Sequence, residues 1–337
     1  MGEGSNLELG SKHATTPEEQ KRPFNPIVWR LLLLVGVLMY GSYSILIHLC
    51  KVDGKLPFST ASMVLMTETA KICISMTMFL PEVRENGFPS VTIGYALAFS
   101  VPAIIYAINN NIAAVMQLHM DPATFQVLSN MKILSTAVLY RLIIKKPVSN
   151  IQWVALFMLA FAGVANSWGS FESKPGDAGS GVVHITFIGV VLIIVQCTFS
   201  GLAGVYSEYI LKKNYQTSIH LQNIMLYTFG IMLNGGAWVV DAVHNDRGFN
   251  LFQGYSTFVW ISIIMQALCG LIMSAIFKHG NNITRLFVVA SAMVVTTTLS
   301  MLIFGLQLNG YFIIAFLMVS VALILYHNGD KLCQNAA

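Results

Sequence analysis

The chain has 337 residues, of which 55% are hydrophobic and 10% charged, with a net charge of +4 and a mean hydropathy of +0.66. Soluble domains carry about 25% charged residues, so this composition cannot clothe a water-facing surface. It excludes a soluble enzyme or binding module and points to a chain that crosses a membrane repeatedly.

Residues 1–26 are polar, with Glu18-Glu19-Gln20-Lys21-Arg22 before Pro23. No apolar stretch precedes a cleavage-like site there, so the reading expects a disordered cytosolic tail rather than a signal peptide. Apolar stretches near the length that spans hydrocarbon then predict ten helices, at about 28–48, 58–80, 92–117, 123–141, 151–169, 184–211, 218–243, 255–277, 284–305 and 309–326. The run Ser170-Phe-Glu-Ser-Lys-Pro-Gly-Asp-Ala-Gly-Ser-Gly181 is turn-rich and begins a linker over 170–183. The organisation expected is therefore a first five-helix half (27–169), a lumenal linker (170–183), a second five-helix half (184–327) and a short cytosolic tail (328–337). An odd number of spans per half inserts the halves with opposite orientation, as in inverted-repeat transporters. Asp121-Pro-Ala-Thr-Phe-Gln-Val-Leu-Ser129 opens the fourth span, and Asn282-Ile-Thr-Arg-Leu-Phe-Val-Val-Ala-Ser291 opens the ninth, a weak echo between the halves.

Ten spans put both termini on one side. With that side cytosolic, thirteen Lys and Arg lie there against four opposite, Lys51, Lys55, Lys174 and Arg247. The net positive charge is this asymmetry and not a nucleic-acid surface. Of five cysteines only Cys50 lies near the oxidising side, so no intrachain lumenal disulfide is available. The one sequon, Asn282-Ile-Thr284, falls on the cytosolic side, where it stays unmodified.

Polar residues inside these spans need a reason, because each costs on the order of several kcal/mol in hydrocarbon unless it meets water, a ligand or another polar group. Span three carries Tyr106 and Asn110 one turn apart, flanked by Asn109 and Asn111. Span four carries Phe125, Ser129, Lys132 and Thr136 at spacings of one helical face, with Gln126 beside them. Lys132 lies roughly 16 Å into its span at 1.5 Å per residue. It either pairs with a carboxylate such as Glu68 or awaits an anionic ligand. Glu68 and Lys71 stand at i, i+3 in span two, suited to a structural ion pair or a gating pair. Asn223 and Tyr227 stand at i, i+4 in span seven, next to Gln222. Gln196, Ser200, Gly204 and Ser207 form a stripe in span six, and Gln266, Gly270 and Ser274 one in span eight; both read first as helix packing. Arg285 opens span nine, either as a topology-setting arginine or as a second cation whose bidentate fork suits phosphate. Two cations, amides that read both donors and acceptors, and stackable tyrosines suit a phosphate-bearing base and sugar, while residue chemistry alone leaves other anions open.

The run Tyr106-x-x-x-Asn110-Asn111, with Asp121-x-x-x-Phe125-Gln126-Val127 and Lys132-Ile133, resembles the nucleotide-sugar transporters of the drug/metabolite transporter superfamily, in the CMP-sialic acid and UDP-galactose branch. Thr67-Glu68-x-x-Lys71, Ser200-Gly201-x-Ala203-Gly204-Val205-Tyr206-x-Glu208, Asn223-x-x-x-Tyr227 and Asn282-Ile283-x-Arg285 match in order. The resemblance implies an all-α membrane fold of ten helices in two inverted five-helix repeats, Golgi residence, and exchange of a nucleotide-activated sugar for its nucleoside monophosphate. It implies substrate contacts at Tyr106, Asn110, Asn111, Phe125, Gln126, Lys132, Asn223, Tyr227 and Arg285, with Glu68 and Lys71 as a gating or structural pair, and no cofactor or metal. The partners expected are the nucleotide sugar, its monophosphate counter-substrate and the bilayer, with a homodimer or a complex with related transporters left open.

Departures from the branch are Phe125 for a tyrosine, Arg285 for a lysine, Asn109 for a glutamine and Phe229 where a small hydroxyl is common; Phe229 is expected to narrow the cavity. They leave open a CDP-linked polyol such as CDP-ribitol beside the UDP-sugars, and a transport-inactive scaffold as the rival function. No His-Glu-x-x-His, Gly-x-Ser-x-Gly or Asp-rich metal motif suggests an enzyme.

Overall fold

The structure is a computed structural model that describes residues 25–52, 56–116, 128–145, 147–172, 187–244, 249–304 and 310–334. The helices are α1 (Pro26–Leu49), α2 (Thr60–Asn86), α3 (Ile93–Leu97), α4 (Ser100–Met116), α5 (Lys132–Ile143), α6 (Asn150–Glu172), α7 (Phe187–Lys213), α8 (Ile219–His244), α9 (Thr257–His279), α10 (Asn282–Phe304) and α11 (Gly310–Gln334). By length and hydropathy, α1, α2, α7, α8 and α9 each suffice to cross a membrane, as do Asn282–Ile303 of α10 and Gly310–His327 of α11. The chain is a multi-pass helical membrane protein. Its outer faces are apolar: on α9 the exposed Ile261, Ile264 and Leu268 form one stripe turned toward lipid.

Local chemistry sets several boundaries. The Asn25 side chain accepts the Ile27 N–H at 3.1 Å, and Pro26 follows at the first helical position. Helix α2 ends at Gly87, whose φ of 74° is a conformation other residues reach at a cost. The expected third span is broken at residues 98–99 into α3 and α4. Pro102 has no N–H to offer the Ala98 carbonyl, and its ring crowds that turn.

The expected fourth span differs more. Helix α5 starts at Lys132, after helical residues 128–129 and a turn at 130–131 closed by short-range bonds: Met131 N–H to Leu128 O (2.9 Å), Ile133 N–H to Asn130 O (3.1 Å) and Leu134 N–H to Met131 O (3.0 Å). Asn130, a residue type that competes with the helical ladder, sits at this turn. Its side chain lies tight against α6, where a Cβ at Gly163 would fall 2.3 Å from Asn130 Oδ1. Ser129, Lys132 and Thr136 therefore do not share one unbroken helix face, and Phe125 and Gln126 lie outside the described residues. Helix α6 runs on to Glu172, so 170–172, expected as linker, are helical, and the rest of 170–183 lies outside the described residues.

The helices pair closely as α6 with α11, α2 with α8, α1 with both α9 and α10, α7 with both α4 and α5, α2 with α9, and α4 with α8. One end of the bundle collects basic residues. There Lys212 Nζ donates to the Gly280 carbonyl, Lys278 Nζ to the Thr217 carbonyl, and His220 approaches Glu82 at 3.8 Å. An apolar layer closes this basic end around Phe79, Phe99, Leu211, Leu221 and Phe277. A second apolar layer closes the opposite end of α1, α2 and α9 around Cys50, Phe58, Met63, Val259 and Ile263. Polar residues of α2, α8 and α9 are held between the two.

Glycines bring backbones together where α1 meets α10 and α5 meets α7. A Cβ at Gly41 would lie 2.7 Å from the Ala292 carbonyl oxygen, and one at Gly201 would lie 3.1 Å from Thr136 Cα and N. Backbone cannot yield as a side chain does, so Gly41→Val and Gly201→Val are each expected to cost about 1–3 kcal/mol. The loss would appear as a lower thermal unfolding temperature in detergent. Gly94→Ala, whose Cβ meets nothing within 4 Å, is expected to leave that temperature within error.

Candidate functional site

The polar layer has two connected parts. In the first, Lys71 Nζ on α2 bonds Glu68 Oε1 at 2.5 Å, the i, i+3 pair expected from the sequence. The ammonium also lies 4.8 Å from the centre of the Tyr227 ring on α8. Tyr227 Oη is 3.2 Å from Ser274 Oγ on α9. Two glycines make room for the charges. A Cβ at Gly230 would lie 2.8 Å from Glu68 Oε2, and one at Gly270 would lie 3.0 Å from Lys71 Cε. Asn223, one turn before Tyr227, is 2% exposed, and its Oδ1 has no donor among the described residues.

The second part holds Lys132 and Arg285. They are close enough to repel, although one comes from α5 and the other from α10. Lys132 is the first residue of α5. It forms no ion pair among the described residues, and Glu68, the carboxylate weighed for it, is held by Lys71. Arg285 likewise has no carboxylate partner among the described residues. Its Nη1 is 3.4 Å from Asn282 Oδ1, and its guanidinium lies 5.4 Å from the centre of the Phe277 ring. It thus reaches into the bundle instead of lying along the membrane surface. The Cys269 thiol is within electrostatic reach of both Lys71 and Arg285, which makes the two parts contiguous. Tyr40 on α1 is within reach of Arg285, Cys269 and Tyr106, yet is 38% exposed. Tyr40 thus stands beside groups of three other helices.

Of the residues singled out in the sequence, Lys132, Arg285, Glu68, Lys71, Tyr106 and Tyr227 are drawn together. Asn109 is 9% exposed, with an Oδ1 that lacks a donor among the described residues. Asn110 and Asn111 belong to α4, but their side chains lie outside the described residues. Gln222 does not join the cavity: its Nε2 donates to Tyr95 Oη (2.8 Å), Leu211 O (3.1 Å) and Asn214 O (3.2 Å), fastening α8 to α3 and α7. Phe229, expected to narrow the cavity, packs against the apolar layer of the basic end instead. Its position two residues after Tyr227 turns it to another face of α8. The sequon residue Asn282 is 1% exposed, so its side chain is closed to modification whichever side it faces.

Sequence reasoning assigned no role to Glu208. This carboxylate is fully buried on α7 and accepts the Asn282 N–H at 2.6 Å, capping α10 one turn before Arg285. Lys212 Nζ bonds its other oxygen at 2.6 Å and also reaches the Gly280 carbonyl. Gly204 leaves the space: a Cβ there would lie 2.7 Å from Asn282 Nδ2 and 3.1 Å from Arg285 Nη1. A lysine four residues after a carboxylate in an apolar span was the available signal. Tyr40 offered none, because a tyrosine in a first span reads as interfacial. Glu208→Ala is expected to lower stability by about 1–3 kcal/mol through the unsatisfied α10 amide and the freed ammonium. Glu208→Gln, which keeps an acceptor, should lose less; thermal unfolding of the two purified variants checks the order.

Comparison with known proteins identifies this architecture. The nucleotide-sugar transporter family matches residues 27–327. The protein from Xenopus tropicalis named probable UDP-sugar transporter protein SLC35A4 is 39% identical over 94% of this chain and 96% of its own. Proteins of the same name from Danio rerio and Homo sapiens are 41% identical over 92% of this chain and 96% of theirs, and 39% identical over 89% and 94%. A solved crystal structure superposes with a TM-score of 0.64 over 90% of this chain and 98% of its own, at 9% identity, a likeness of fold alone. The chain belongs to the nucleotide-sugar transporter family, a family of transporters rather than enzymes.

Proposed function

We propose that the protein is an alternating-access antiporter of the Golgi membrane. In this reading it carries a pyrimidine nucleotide-activated sugar or polyol into the lumen, as a UDP-sugar or a CDP-linked polyol such as CDP-ribitol, in exchange for the nucleoside monophosphate. The observation that carries the reading is the pair of repelling cations, Lys132 and Arg285, without carboxylate partners among the described residues. An anion with more than one phosphate satisfies both at once. Tyr106 stands to one side of them for the base, and Asn223 and Tyr227 stand on the other. The relatives' name, probable UDP-sugar transporter, supports a nucleotide-sugar cargo.

Alternating access calls for two arrangements of similar energy, which an inverted repeat of ten spans supplies. Helices α1, α2, α3–α4, α5 and α6 would correspond in order to α7, α8, α9, α10 and α11. Exchanging the halves turns the pairing of α1 with α10 into that of α7 with α5. It turns α1 with α9 into α7 with α4, and α2 with α9 into α8 with α4, while α2 with α8 and α6 with α11 map onto themselves. A matching detail supports the correspondence. Ser135, fourteen residues after Asp121, donates to the Cys197 carbonyl on α7 at 2.8 Å; Thr296, fourteen after Asn282, donates to the Gly41 carbonyl on α1 at 2.8 Å. With both termini in the cytosol, the basic end is the cytosolic end.

Exchange rather than net transport follows from the same charges. An empty carrier must turn over with two unneutralised cations in the membrane, which raises its barrier, while a loaded one need not. Proteoliposomes preloaded with UMP or CMP are expected to take up one labelled nucleotide conjugate faster than empty ones. Lys132→Ala is expected to abolish that uptake, and Arg285→Lys to retain part of it. Equal uptake without internal monophosphate would refute antiport. No uptake of any UDP-, CMP- or CDP-conjugate by folded, inserted protein would favour the transport-inactive scaffold.

A further inference from the structure

On α9, the amide of Gln266 is a polar group that the site described above does not use. Helical spacing sets it opposite the lipid-facing stripe of Ile261, Ile264 and Leu268, on the same inner face as Ser262, Ile263 and Gly270. Its Oε1 is enclosed by the bundle and has no donor among the described residues. A buried amide oxygen left so, at membrane depth, costs free energy that an apolar residue would spare. The neighbours on either side are accounted for. Ser262, one turn toward the apolar layer around Val259 and Ile263, bonds the Phe258 carbonyl at 2.8 Å and meets Cys50 Sγ at 3.9 Å. Gly270, one turn the other way, lies under the stem of Lys71. Gln266 therefore stands about 6 Å along the helix axis from the residue that cradles the Glu68–Lys71 pair.

This corner can take only certain groups. Glu68 disfavours an anion and Lys71 disfavours a cation, but together with a neutral amide they offer acceptors and donors in one place. That combination fits vicinal hydroxyls, each of which donates and accepts. The corner also lies at the correct end of the cavity. Tyr40 connects Arg285 toward Tyr106 on α4, whereas Cys269 connects Arg285 toward Lys71 on α2. With phosphates at the cations and the base toward Tyr106, the remaining end of a nucleotide conjugate points to α2 and α9. Gln222 also has an orphan Oε1, but its amide nitrogen is committed to three bonds that fasten helices. We propose that Gln266 is a specificity-determining residue whose side-chain amide hydrogen-bonds a hydroxyl of the sugar or polyol carried on the nucleotide. The inference rests on the transport reading above and adds to it the residue that tells a conjugate from a bare nucleotide.

The test compares two exchanges by one protein. Proteoliposomes preloaded with UMP or CMP are offered labelled UMP or CMP, and in parallel UDP-glucose, UDP-galactose and CDP-ribitol. Gln266→Leu, similar in bulk but unable to hydrogen-bond, is expected to lower uptake of the favoured conjugate at least about tenfold more than it lowers monophosphate self-exchange. Gln266→Asn is expected to fall between Leu and wild type. An equal fall in both exchanges would mean that Gln266 only holds helices together, and no fall in either would mean that the amide is unused; both overturn the proposal. Thermal-shift titration with the same ligands repeats the comparison without turnover. If the wild type exchanges nothing, the transport reading fails by itself. Gln266 is then decided by whether the Leu variant loses stabilisation by a conjugate but not by UMP or CMP, and stabilisation by none of them overturns it too.

Discussion

Two like charges held close together inside a lipid-spanning bundle are the constraint around which this protein is built. Lys132 and Arg285 repel, and neither has a carboxylate to itself among the described residues. Such an arrangement survives only because water or an anion reaches it and because the rest of the fold absorbs its cost. The acids that might have neutralised these cations are committed elsewhere. Glu68 is bound to Lys71, and Glu208 is bound to the first amide of α10 and to Lys212. Charge is thus partitioned: some ions are paired to hold helices in register, and two are left without a carboxylate among the described residues.

Glycines make that partition possible. Gly204, Gly230 and Gly270 stand where a single methyl group would crowd the side chains of Asn282, Glu68 or Lys71. Each charged group is thereby seated against backbone, where neighbouring helices exclude lipid. The apolar layers at the two ends of the bundle complete the enclosure, so that electrostatic interactions in between act at a lower effective dielectric than at a surface.

Much of this was legible in the sequence, and the reasons differ by residue. The helical, multi-pass character follows from composition, because a chain with so few charges has no alternative. The Glu68–Lys71 pair follows from spacing alone. Lys132 and Arg285 were legible as expensive cations, but their mutual proximity was not, since one lies on α5 and the other on α10 and only tertiary folding brings them together. The turn before Lys132 was missed because an apolar run reads as continuous helix until an asparagine competes for the backbone. The break at Pro102 was available from proline chemistry and was outweighed by span length. Gln222 adjoins Asn223 in the chain, but a shift of one residue turns its side chain by about 100° to other partners. Phe229, expected from the resemblance to narrow the cavity, is likewise turned to another face of α8. Glu208 acquires meaning only once the start of α10 is seen beside it.

The hydroxyl bonds that join α10 to α1 and α5 to α7 carry a consequence of their own. Thr296 Oγ1 is shared between the Gly41 carbonyl across the interface, at 2.8 Å, and the Ala292 carbonyl of its own helix, at 3.2 Å. Ser135 Oγ is shared in the same way between Cys197 at 2.8 Å and Lys132 at 3.0 Å. Each hydroxyl can let go of the facing helix and still keep a partner on its own. Where α1 slides on α10, or α7 on α5, the contact acts as a slip bearing: grip is lost in one step, but no bare polar atom is ever turned out into hydrocarbon.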